Sequence, residues 1–185
     1  MDAFNFAFTL FGLLLGFTLV EVLSGLAKTL QFHGRIRAGW LTPLLAIFVM
    51  LDVLSFWDGA WAARALIPVS YGTLLAGLVI TGVYYLAASW IFPQSWEDGT
   101  DLDAHYLDHR RIVLPGIWAC NAIPFSLLAW QAAQPMSMSG ISLIGLYWVL
   151  VGTAFISRSK VVNVVALGGL IAVYLVNAFL SWNGG

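Results

Sequence analysis

Charged side chains are the scarcest component of this sequence: 8 Lys and Arg and 9 Asp and Glu among 185 residues, or 9%. A water-soluble domain of this length carries about 25%, so too few charges exist to cover a water-facing surface. The net charge of −1 argues against a nucleic-acid partner, which would need a concentrated basic face. Cysteine occurs once, as Cys120; no intrachain disulfide forms, and the thiol is read as a small packing group. No histidine lies inside an apolar run, because His33, His105 and His109 all fall in connections. That excludes bis-histidine haem ligation across a bilayer. A Gly-rich phosphate loop, a Ser-His-Asp set and a zinc-protease motif are all missing. No catalytic constellation emerges, and no cofactor is expected. The opening Met1-Asp2-Ala3-Phe4-Asn5 lacks a basic n-region, and the apolar run behind it is too long for a signal-peptide core. It is read as a retained span. The closing Ser181-Trp182-Asn183-Gly184-Gly185 lacks the cysteine that lipidation requires.

What remains is apolar: 61% of the residues are hydrophobic. A bilayer core takes about 20 apolar residues per helix. Six runs qualify, at 6–30, 43–63, 68–92, 112–132, 139–156 and 161–182, with an acidic connection at 93–111. The expectation is an all-α polytopic membrane protein, a six-transmembrane-helix bundle in one integral membrane domain. Pro43 and Pro68 suit a first helical turn, where the missing N–H costs nothing. Lys28, Arg35, Arg37, Arg110, Arg111, Arg158 and Lys160 flank one set of connections, and only Arg64 flanks the other. The positive-inside rule then puts both termini outside the cytoplasm. The expected location is a cell membrane of the bacterial inner-membrane kind. Trp57, Trp61, Trp130 and Trp182 on one side, and Trp40, Trp90 and Trp96 on the other, read as interfacial belts. A shift of 92 residues aligns Leu75, Gly77, Leu78, Ser89 and Trp90 with Leu167, Gly169, Leu170, Ser181 and Trp182. This makes a 3+3 inverted repeat a candidate, although the first spans of the halves do not agree.

Two acids lie deep inside the apolar runs. Glu21 and Asp52 each lie nine residues from the basic end of their span, about 13 Å along a helix. A carboxylate in hydrocarbon costs roughly 2.5–3.5 kcal/mol on insertion scales, and such residues usually serve a function. Asn121 falls at the same level, and Tyr84 and Tyr85 approach it from the third span. These five residues form the candidate ion- or substrate-binding layer. On the first span Thr18, Glu21, Ser24, Gly25 and Lys28 share one side, with Gly12 and Gly16 opposite, at a spacing that permits close helix approach. On the second span Asp52, Ser55 and Gly59 make a small-residue stripe. Pro124 deprives the Cys120 carbonyl of its helical partner, which frees it for a cation, a water or a simple kink. The bland alternatives are a protonated, hydrogen-bonded acid, an interhelical Asn contact and packed tyrosines.

The acidic connection holds the metal candidates. Thr100 followed by Asp103 resembles a capping box. A short helix from Asp101 would set Asp101, His105, Asp108 and His109 on one side. Two histidines four apart beside aspartates suit zinc, but the ligand set is incomplete. A solvated helix with ion pairs to Arg110 and Arg111 is the competing reading.

Asp58-Gly59-Ala60-Trp61-Ala62-Ala63-Arg64 resembles the start of the CDP-alcohol phosphotransferase signature, a family of membrane enzymes with about six spans. The resemblance would imply metal-dependent phosphotransfer. Ser55 stands where that family has an aspartate, Ala-Arg follows Asp-Gly after three residues rather than two, and the downstream aspartate pair is missing from the third span. Those acids hold the metal, so the chemistry is excluded. Two functions lead as expectations, with a membrane enzyme third because no catalytic constellation survives. One is a small cation or proton channel or ion-coupled transporter, working as a homo-oligomer in the lipid bilayer. The other is a structural or accessory subunit of a larger membrane complex.

Overall fold

The computed structural model describes residues 3–68, 70–131 and 138–183. The chain is all-helical: α1 (Ala3–Gln31), α2 (Leu41–Ala62), α3 (Tyr71–Ser89), α4 (Leu102–Gln131), α5 (Met138–Ile156) and α6 (Lys160–Asn183), with no strand among the described residues. Helices are the form in which an apolar segment satisfies its own backbone groups without water. Four stretches are long and apolar enough to cross a membrane: Ala7–Gln31, Leu41–Ala62, Tyr71–Ser89 and Lys160–Leu180. Ile141–Ile156 is a shorter apolar helix. α4 differs, because its first turns carry the polar run His105 to Arg111 before the apolar sequence begins. The helix expected from Asp101 and the run expected from Ile112 are one continuous element.

Helix ends follow local chemistry. α3 starts at Tyr71 rather than Pro68, because Ser70 is extended and its hydroxyl accepts from the Thr73 amide at 3.2 Å. Pro68 stays outside the helix, its carbonyl accepting from the Thr73 hydroxyl at 2.6 Å. α3 ends at Ser89, where Trp90 and Ile91 amides turn back to the Ala87 and Ala88 carbonyls. Ile91 and Phe92 remain buried but leave the helical path. The expected capping box at α4 does not form. Asp101 caps the helix instead, accepting from the Asp103 and Ala104 amides at 2.9 and 3.1 Å, while the Thr100 hydroxyl donates to the Glu97 carbonyl.

The connections at one end of the molecule are tied together. Arg37 pairs with the segment before α4 through Arg37 N–H to Thr100 (2.8 Å) and Leu102 N–H to Arg37 (3.0 Å). Asp103 Oδ1 accepts from the Trp40 and Leu41 amides at 3.0 Å each, so α4 supplies the cap of α2. Gly39 makes this approach feasible: its φ is +57°, and a Cβ there would lie 2.1 Å from Asp103 Oδ1. Lys160 on α6 completes the knot with a 3.3 Å ion pair to Asp103 Oδ2, the sole ion pair among the described residues. The pairs anticipated with Arg110 and Arg111 are not formed.

Between the helices, the buried side chains of α2 (Leu45, Phe48, Val49, Val53), α3 (Tyr84, Ala87, Ala88), α4 (Val113, Leu114, Ile117) and α6 (Ala166, Leu167, Leu170) form a shared core. α1 packs mainly on α3 and also on α2, through a stripe of Leu15, Thr18, Val22, Gly25 and Thr29. Glycines there receive aromatic rings rather than helix backbones. A Cβ on Gly12 would meet the Trp57 ring at 2.0 Å and one on Gly25 the Phe92 ring at 2.0 Å, whereas Gly16 faces open space.

Candidate functional site

Asp52 is completely buried, and four side-chain donors from four other helices converge on it. Its Oδ2 accepts from the Tyr84 hydroxyl of α3 at 2.7 Å and from Asn121 Nδ2 of α4 at 2.9 Å. Its Oδ1 accepts from the Tyr147 hydroxyl of α5 at 3.1 Å and from the Tyr174 hydroxyl of α6 at 2.5 Å. Asn121 Nδ2 also lies 3.1 Å from the Tyr84 oxygen and 3.1 Å from the Ile117 carbonyl. One carboxylate thus joins five of the six helices. The rings pack around it as well: Phe48 sits 6.3 and 6.1 Å from Tyr147 and Tyr174, and Phe56 meets Tyr84 edge-on at 5.4 Å.

Chemically the arrangement surrounds one carboxyl group with neutral donors. All three phenols and the amide donate to Asp52, and no cationic side chain takes part in the cluster's hydrogen bonds. Adding a proton to either oxygen would turn an acceptor into a donor and force at least one partner hydroxyl to rotate or withdraw. The proton state of Asp52 is thereby coupled to the contacts of four other helices.

Of the five residues expected in the layer, Asp52, Tyr84 and Asn121 come together, and Glu21 and Tyr85 do not. Glu21 is half-buried on the flank of the α1 stripe, beside the positions that face α3 and α2. Ser24 and Lys28, expected on a shared inner side, are exposed. Tyr85 points outward and is 42% exposed, one residue round the helix from the fully buried Tyr84.

Tyr147 and Tyr174 were missed. Tyr147 carries the same signal as the acids, since it lies nine residues from Ile156 at the basic end of its span. Tyr174 lies thirteen residues from Val161, about one turn beyond the level of the others. Side chains tilt toward a helix N-terminus, which for α6 is the basic end, so its long ring reaches back to Asp52.

The metal candidates are differently engaged. Asp101 caps α4 and Asp108 is exposed. The His105 and His109 rings stack at 4.1 Å, with His105 Nε2 3.2 Å from the Trp90 carbonyl and His109 Nδ1 2.9 Å from the His105 carbonyl. Burial, reinforced by the neighbouring His109, pushes His105 below the ordinary histidine value. Among the described residues no three His, Cys, Asp or Glu side chains converge as a metal site.

Comparison of the chain with protein-family models, with curated proteins and with solved structures finds no significant match. The functional reading therefore rests on the site itself.

Proposed function

We propose that this protein is a small membrane transport protein, a cation or proton channel or an ion-coupled transporter, in which Asp52 is the ion-carrying group. The observation that carries this reading is a buried carboxylate held by four neutral donors drawn from four separate helices. An intramembrane acid is by default a candidate for an ion pathway or proton relay. A proton or cation arriving at Asp52 competes with the hydroxyls, so occupancy and helix arrangement change together. This is the linkage an ion-coupled carrier requires. Under this reading all six helices cross the bilayer, both termini lie outside the cytoplasm of a bacterial cell, and the protein works as a homo-oligomer. Glu21 is then an approach residue on the edge of α1 rather than a second ligand.

A second reading is favoured by the completeness of the cluster. Each carboxylate oxygen already holds two donors, as suits a structural latch in an accessory subunit of a larger complex. Reconstitution separates the two. The purified protein in lipid vesicles should dissipate an imposed proton or cation gradient, and Asp52→Asn should abolish the flux while leaving the oligomer intact. Absence of flux in the parent, with stable co-purification of other subunits, would replace transport by the accessory role.

A further inference from the structure

Among the described residues, the buried side-chain nitrogen and oxygen atoms without a partner are Thr18 Oγ1 and two nitrogens of Arg110, Nε and Nη2. Arg110 is only 2% exposed. Its Nη1 donates to the Leu107 carbonyl, so one edge of the guanidinium is held in place and the other is idle. Nε and Nη2 lie on a single edge, the one that grips two oxygens of an oxyanion side by side. Leaving a desolvated guanidinium so poorly matched is expensive, unless something else meets it.

Arg110 lines a cleft of about 340 Å³ together with Leu107, Asp108, Arg111 and Arg158. Three arginines thus line this space against one acidic residue, Asp108, a net excess of two positive charges. The placement of Arg158 is built rather than incidental. It belongs to the α5–α6 connection, where Asn163 Nδ2 donates to the Ser157 and Ser159 carbonyls on either side at 2.9 and 2.8 Å. Asn163 Oδ1 in turn accepts from the Tyr106 hydroxyl of α4 at 2.7 Å, both side chains being buried. Tyr106 is one turn before Arg110, so the same contact that pins the connection to α4 brings Arg158 to the cleft.

We infer that this cleft is a binding site for a phosphate group, with Arg110 as the buried fork and Arg111 and Arg158 as flanking cations. The phosphate could be carried by a soluble phosphate or by the headgroup of an anionic lipid. The cleft lies at the end of the molecule where the basic connections gather, which is where basic pockets between helices meet anionic headgroups. This assignment is independent of Asp52 and of transport.

The test uses the full chain, delipidated in detergent, with two probes: inorganic phosphate, against chloride at matched ionic strength, and phosphatidylglycerol in mixed micelles, against phosphatidylcholine. At least one probe should bind and raise the thermal midpoint. Arg158→Gln, a change at an exposed loop position, should weaken that binding about 10-fold or more, as expected for loss of a charge-assisted contact. Arg110→Gln should weaken it at least as much; should that variant fail to fold, Arg158→Gln decides. Binding of inorganic phosphate identifies a soluble ligand, and binding of phosphatidylglycerol alone identifies a lipid. If neither probe binds above its control, or if Arg158→Gln binds like the parent, there is no phosphate site.

Discussion

Each oxygen of Asp52 takes two hydrogen bonds, and the consequence of removing one donor depends on what the carboxylate can do next. Tyr174 makes the shortest contact, at 2.5 Å. Tyr174→Phe keeps the ring in place and deletes only the hydroxyl. It should destabilise the folded protein by about 1.5–3 kcal/mol, the range for a hydrogen bond to a charged group. The thermal midpoint in detergent checks this, and an unchanged midpoint would mean the bond contributes nothing. A second residue-scale prediction separates two glycines that look alike in sequence. Gly25→Ala drives a Cβ into the Phe92 ring and should cost about 1–3 kcal/mol, as overpacking does. Gly16→Ala meets nothing and should be neutral or slightly stabilising, since alanine suits a helix better by about 1 kcal/mol. Circular-dichroism melts of the two variants side by side test the contrast. Asp52 and Asn121 were legible because equal spacing from the basic ends placed them at one depth, and Tyr84 because it approaches that level on the third span. Glu21 obeys the same spacing but lies on the flank of its helix. Depth follows from counting residues; the direction a side chain faces depends on which neighbour the helix chooses.

The start of α4 holds much of the basic end of the molecule in register. Asp103 alone caps α2, fills the space beside Gly39 and pairs with Lys160. Asp103→Ala should therefore cost more than an ordinary cap, whose loss is typically about 1 kcal/mol. Lys160→Ala removes only an exposed ion pair and should cost under about 1 kcal/mol. Chemical or thermal unfolding of both variants measures the difference. None of this was readable beforehand, because the partners of Asp103 stand about sixty residues away in each direction and no local rule brings them together. The helix itself was readable from Asp101 onward, though the expected box with Thr100 lost to the shorter-range cap by Asp101. His105 gives this element a pH dependence. Its folded value lies below the ordinary histidine value, with burial as the main cause and His109 as the second, so folding favours the neutral ring. Stability is then complete above the usual value of about 6.5 and declines as pH falls below it, until the lowered folded value is reached. His105→Phe should flatten the fall in thermal midpoint between about pH 7.5 and about pH 5.5.

At the scale of the whole molecule, the connections between α1 and α2, before α4, and between α5 and α6 meet at one end. Hydrogen bonds from Gly99 to Arg35, Arg37 to Thr100 and Asn163 to Ser157 and Ser159, with the Lys160–Asp103 ion pair, hold them there. Lys28, Arg35, Arg37, Arg110, Arg111, Arg158 and Lys160 lie in or beside these segments, while Arg64 sits in the α2–α3 connection against the Trp61 ring. The charge asymmetry read from the chain is thus a property of two ends of one bundle. Internal symmetry is less apparent: α1 packs extensively on α3, whereas their counterparts α4 and α6 share no comparable packing among the described residues, which gives the inverted repeat no support. Orientation can be decided directly. In a Cys120→Ala background, cysteine is placed at Ser95, exposed before α4, or at Ala65, exposed between α2 and α3. An impermeant thiol reagent should label the Ala65→Cys protein in intact cells and the Ser95→Cys protein only after permeabilisation, because basic connections stay in the cytoplasm. The reverse pattern would invert the protein in the membrane, and labelling of both in intact cells would remove the case that α3 crosses it.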